Sequence, residues 1–115
     1  MKLFVLSLII LLSSCSVFDN EQDITSSDIL TEANDPILSV QNMSNKDVYF
    51  FVIETQTSYL VNFAFTCDNP ELALKTKQRT EISYSDIPGW HKNAESVWFF
   101  WTNCKGAQGS KTIKL

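Results

Sequence analysis

Three stretches of the chain differ in how apolar and polar residues are arranged. Leu3 to Leu12 is apolar apart from Ser7, whereas residues 16–35 are polar with isolated apolar positions. From Pro36 onward, apolar residues recur at every second position in short runs, which is the period of a half-buried β-strand. Ile37–Met43 is the first run, and the turn cluster Ser44-Asn45-Lys46-Asp47 ends it. Val48–Glu54 is almost wholly β-branched and aromatic, which predicts a second strand. A third is predicted over Ser58–Phe65, where Tyr59, Val61, Phe63 and Phe65 share one side. Arg79–Ser85 sets Thr80, Ile82 and Tyr84 against Glu81 and Ser83 and predicts a fourth. Ser96–Thr102, the most aromatic run, predicts a fifth, and Lys111–Leu115 a closing sixth. Cys67-Asp68-Asn69-Pro70, Asp86-Ile87-Pro88-Gly89 and the Lys105–Ser110 stretch, with Gly106 and Gly109, read as the intervening turns and loops.

Short strands at this spacing, separated by turn signals, predict an all-β domain over residues 36–115, in the form of a small immunoglobulin-like β-sandwich of about six strands. Residues 16–35 carry Asp19, Glu21, Asp23, Asp28, Glu32 and Asp35 and no Lys or Arg. Such a one-sign polar segment buries little apolar area, so residues 15–35 are expected to form a flexible tether. It would span about 25 Å as a coil and at most about 70 Å extended. A short helix over Ser27–Ala33, stopped by Asn34-Asp35-Pro36, is the one element expected within it.

The net charge is −4, and the acids of the tether account for it. The domain itself is near neutral and lacks the basic excess that nucleic-acid binding requires, so no nucleic-acid partner is expected.

The N-terminus adds a separate signal. Lys2 precedes the apolar block Leu3–Leu12, which is about half the length of a bilayer-spanning helix. Leu12-Ser13-Ser14-Cys15 then places two small residues before a cysteine. This arrangement resembles the lipobox of bacterial lipoproteins. The resemblance implies that residues 1–14 are a cleaved signal peptide and that Cys15 is the acylated first residue of the mature chain. The protein would then be anchored to the cell membrane through Cys15. In a Gram-negative source, Ser16 rather than Asp after the cysteine implies the outer membrane, facing the periplasm.

Of three cysteines, acylation of Cys15 leaves Cys67 and Cys104. An oxidising envelope compartment allows them to pair. If the strands run strictly up and down, the ends of the third and fifth lie at the same pole, which brings Cys67 and Cys104 together. An extra strand within Leu72–Lys77 would separate them, so an irregular 67–78 connection is expected.

Candidate chemistry is sparse. His91 is the sole histidine, beside Trp90 after a Pro-Gly turn, and no second histidine exists for a metal site of that type. There is no nucleophile elbow, phosphate loop, dinucleotide fingerprint or calcium loop. No catalytic residue, metal or cofactor is expected, and the chain is not expected to be an enzyme.

Two features point to binding. In a two-layer sandwich each strand hides one face, so some rings of Val48–Glu54 and Ser96–Thr102 must reach the outside or lie under loops. Trp98, Phe100, Tyr49 and Phe51 are the candidates for an exposed aromatic patch that meets an envelope protein or glycan. Lys75, Lys77 and Arg79, spaced by two, either protect an edge strand from aggregation or contact an anionic envelope component. The expected function is therefore a lipid-anchored envelope protein with a non-catalytic binding or structural domain. The alternative is an inhibitor or immunity protein that presents Lys105–Ser110 or Pro88–Lys92 to an envelope-active enzyme.

Overall fold

The computed structural model describes residues 24–62 and 65–115. Cys15 and the signal-like segment lie outside the described residues, as do Phe63 and Ala64. The domain is all-β: two antiparallel sheets pack their apolar faces together. The first holds β1 (Ile29–Asn34), β2 (Ile37–Asn42) and β5 (Arg79–Ser83), in that order. The second runs β4 (Ala73–Leu74), β3 (Val48–Glu54), β6 (Ser96–Thr102) and β7 (Gln108–Lys114). β1, β3, β5 and β7 all begin at one pole, termed proximal because residues 24–28 lie there. The other pole is distal.

Alternation explains the core. Leu38 and Val40 point inward from β2, as do Val97, Phe99 and Trp101 from β6 and Val48 and Val52 from β3, and all are buried. Ile24, Ile29, Leu74, Tyr84 and Ile87 complete the same cluster. Phe50 stacks on Phe99 with ring centroids 5.9 Å apart. Gly109 makes room for this packing. A Cβ there would lie 2.5 Å from Ser26 Oγ and 2.6 Å from Trp101 Nε1, so only glycine lets β7 pass under the indole.

Asn42, fully buried, ties the two sheets together at the proximal pole. Its Nδ2 donates to the carbonyls of Lys46 (2.7 Å) and Leu74 (3.1 Å). Its Oδ1 accepts from the N–H and hydroxyl of Ser44. A buried amide with every bond made fixes the β2–β3 crossover and seats β4 against it.

Five expectations are corrected. The segment expected to be a tether to Asp35 joins the domain from Ile24, and the helix over Ser27–Ala33 is replaced by a 3-10 turn, Ser26–Asp28, followed by β1. Ile29 is buried while Leu30, Glu32 and Asn34 face outward, so the acids occupy solvent-side positions and do not oppose pairing with β2. No strand forms over residues 58–62: Thr55–Ser58 is instead a single helical turn, α1. The 67–78 connection contains a 3-10 turn, Pro70–Leu72, and the two-residue β4, which brings the strand count to seven. β7 begins at Gln108, inside the stretch expected to be loop.

Candidate functional site

The outer face of the four-stranded sheet carries the aromatic surplus. The β3–β6 register places Phe51 opposite Phe100, Ile53 opposite Trp98 and Tyr49 opposite Thr102. Trp98 and Phe100 stack with centroids 5.7 Å apart. Residues on either side of positions 63–64 lie against this face, Ser58 and Tyr59 towards the distal pole and Phe65 further towards the proximal one. Phe65 meets Phe100 edge-on at 5.3 Å, and Ser58 and Tyr59 lie beside Trp98 around a shallow pocket of about 240 Å³. Ile53, although on the outer face, is buried. Tyr49, Phe51, Trp98 and Phe100 are half-buried rather than fully exposed. The rings are thus partly roofed by a loop. Among the described residues the two most exposed large apolar side chains are in that loop, Tyr59 at 80 % and Leu60 at 85 %, and Val61 beside them is 43 % exposed.

Glu54 explains why the chain turns out of the sheet here. It ends β3 and is buried, yet its carboxylate accepts from the N–H groups of Gln56 (2.8 Å) and Thr57 (2.9 Å) and from the Thr57 hydroxyl (2.8 Å). This N-cap opens α1 and projects Tyr59 and Leu60 beyond it. The Gln56 N–H holds the Glu54 carboxyl below the usual carboxylate range; burial acts the other way, and the Thr57 bonds and His91 reinforce the lowering. A depressed folded-state pKa gives stability that is complete above the unfolded pKa and is lost as pH falls through the folded one. Glu54→Gln should therefore differ most from the wild type at neutral pH, and the gap should narrow on acidification to below about pH 4. Urea denaturation at neutral and acid pH checks this; a constant gap would show that the carboxylate charge plays no part in the cap.

A distal cleft of about 410 Å³ lies between α1 and residues 91–96. Glu54, Gln56, Tyr59, His91 and Glu95 line it. Both Glu54 oxygens are engaged by the cap, and His91 Nδ1 accepts from the Asn93 N–H at 3.3 Å. These residues do not form a nucleophile–base pair. Among the described residues no group of three His, Cys, Asp or Glu is placed to hold a metal ion. The buried Tyr84 hydroxyl has no hydrogen-bond partner among the described residues, and burial, with Asp35, pushes its pKa up.

Cys67 and Cys104 form a disulfide at the proximal pole, with Cα atoms 5.9 Å apart. The pairing was expected from a third strand, which does not form over residues 58–62. Cys67 still lies at the end of β6, so the bridge forms without a strand over residues 58–62 and with β4 present. Cys104 sits at a φ of 63° in the β6–β7 turn. Asn103 Oδ1 shapes that turn by accepting from the N–H groups of Lys105 and Ala107, both at 2.9 Å.

Lys75, Lys77 and Arg79 do not form a single extended ridge. Lys77 has a φ of 61° in a turn, which breaks the two-residue alternation. Its Nζ donates to the Met43 carbonyl at 2.7 Å. Arg79, the first residue of β5, donates to Ser39 Oγ and lies 3.6 Å from Glu81. All three are nonetheless exposed at the proximal pole.

Sequence reasoning missed the exposed Tyr59-Leu60-Val61 segment by assigning it to a strand. The signal was present in the polar run Thr55-Gln56-Thr57-Ser58 directly after Glu54, which suits a capped helical turn better than a break between strands. Among the described residues no helix is long and apolar enough to cross a membrane. No family model, curated protein or solved structure matches the chain.

Proposed function

We propose that the chain is a lipid-anchored envelope protein, held through acylated Cys15, whose β-sandwich is a non-catalytic binding module. Its contact surface is Ser58 to Asn62 and Phe65 together with the aromatic face beside them. The observation that carries this reading is the exposure of Tyr59 and Leu60 next to the half-buried ring of Trp98. Adjacent apolar side chains held outside a folded domain gain free energy only when a partner covers them. The partner is an envelope protein or a glycan that stacks on the rings. The sandwich is immunoglobulin-like in this reading. Its strand order, 1-2-5 against 4-3-6-7, follows the constant-domain arrangement except that the fourth strand joins the second sheet.

The inhibitor reading is favoured by one specific feature. Tyr59 and Leu60 project from a turn after α1 rather than lying flat on a sheet, a shape suited to a cleft. Lys105–Ser110, one of the loops expected to act this way, is instead taken up in part by β7.

Photo-crosslinking in cells tests the binding surface. A photoreactive residue in place of Leu60 should give a discrete adduct, and one in place of Ser39, on the other sheet, should not. No adduct from position 60, or the same products from both positions, would refute the reading. Cys15→Ala should abolish incorporation of labelled fatty acid; persistent labelling would remove the lipobox from the argument.

A further inference from the structure

The chain leaves the sandwich towards Cys15 at the proximal pole. β1 begins there, β2 ends there and β5 begins there, as their antiparallel registers require. Eight residues lie between Cys15 and the buried Ile24. However they fold, they span at most about 30 Å. A lipid on Cys15 therefore keeps this pole, and not the distal one, close to the headgroups.

The outer face of the three-stranded sheet is amphiphilic at this end. Leu30 is 49 % exposed and Met43 40 % exposed. Leu30, Gln41 and Arg79 lie side by side across β1, β2 and β5, lining one shallow groove. Lys77 reaches over the Met43 carbonyl, and Lys75 is exposed in the same turn. Lys46 and Lys105 line a neighbouring groove at this pole. Asp28, Asp47, Asp68 and Glu71 are interspersed, so the positive excess is slight. The distal pole, with Asp35, Asp86 and Glu95 against Lys92 and Lys114, is negative. The domain is polarised with its positive end on the Cys15 side.

We infer that the proximal pole docks on an anionic lipid surface, with Lys75, Lys77 and Arg79 at the phosphates and Leu30 and Met43 in the interface. The inference rests on the reading of Cys15 as the anchor. Basic side chains near an anionic surface gain from its potential, and exposed aliphatic groups gain by leaving water. Asp19, Glu21 and Asp23 oppose the contact, which keeps it weak and sensitive to salt. Docking this way points the distal α1 turn, with Tyr59 and Leu60, away from the bilayer.

The test uses the chain from Cys15 onward, which includes every element of the fold. Its Cys15 thiol is coupled to a maleimide lipid in vesicles of phosphatidylcholine alone or with phosphatidylglycerol. Chemical coupling removes any dependence on acylation in the cell. A paramagnetic headgroup lipid then reports which backbone amides lie near the surface. With phosphatidylglycerol, broadening at Leu30, Met43 and Lys77 should exceed that at Asn93 and Glu95 by roughly tenfold. It should fall to the phosphatidylcholine level in Lys75→Glu/Lys77→Glu and at high salt. Equal broadening in both vesicle types, or in wild type and variant, overturns the docking. Broadening centred on Tyr59 and Leu60 overturns it as well. An unmodified Cys15 in protein isolated from cells would overturn the anchor reading alone.

Discussion

Trp101→Ala should destabilise the domain by roughly 3–5 kcal/mol, the range for removing a large aromatic side chain from a packed core. The indole is 2 % exposed, lies opposite Phe50 in the β3–β6 register and covers Gly109. The collapse needed to fill the vacated space is blocked by β-sheet backbone on one side and by the Phe50–Phe99 pair on the other. A small domain has total stability near the low end of about 5–15 kcal/mol, so this variant should sit close to unfolding at room temperature. Trp98→Ala removes an equally large ring from the outer face of the same strand, where Trp98 is only half-buried. It should cost much less stability and should weaken partner capture in the position-60 crosslinking assay, because tryptophan is a frequent interface anchor. Urea melts of the two variants separate these effects. Equal losses would mean that the roof over Trp98 encloses it as completely as the core encloses Trp101.

Removing the disulfide should have a comparable effect. The bridge closes a 37-residue separation, worth about 4 kcal/mol on the chain-entropy account. Cys67→Ser/Cys104→Ser should lower the denaturation midpoint accordingly, and a reductant should do the same to the wild type. The loss should be uneven within the fold. The bridge fastens the chain just beyond Phe65, which packs on Phe100, so hydrogen exchange around Phe65–Leu72 should accelerate before exchange in β3 or β6. A midpoint unchanged by reductant would show that the closed loop is ordered without the bond.

The parts of the fold that rest on local alternation were legible in the sequence. β2, β3, β5 and β6 carry strongly periodic runs, and parity groups Phe99 with Trp101 on one face, while only the packing shows that this face is the inner one. β1 was not legible because its solvent-side positions carry Glu32 and Asn34, and charge counting over residues 16–35 outweighed the period-two pattern of Ile29, Thr31 and Ala33. Alternation misled over residues 59–62, where a carboxylate cap on the preceding turn overrides strand propensity. β4 is two residues long and depends on the side chain of Asn42, a contact across 32 positions that no local pattern encodes. At the candidate surface, the sequence identified the rings but not the loop that half-covers them, because loop paths depend on tertiary contacts.

The interleaving of the two sheets bears on what pieces of this protein can exist. β1 and β2 must wait for β5, which lies beyond β3 and β4 in the chain, and β3 must wait for β6. No single cut leaves each sheet complete on its own fragment. A product truncated after Ser83 would hold the whole first sheet but only β3 and β4 of the second, leaving Leu38 and Val40 without Phe99 and Trp101 to face. Such a piece exposes both an apolar face and open strand edges, the combination that leads to aggregation or to digestion. Limited proteolysis should accordingly yield the intact 24–115 unit or small peptides, with no stable half in between.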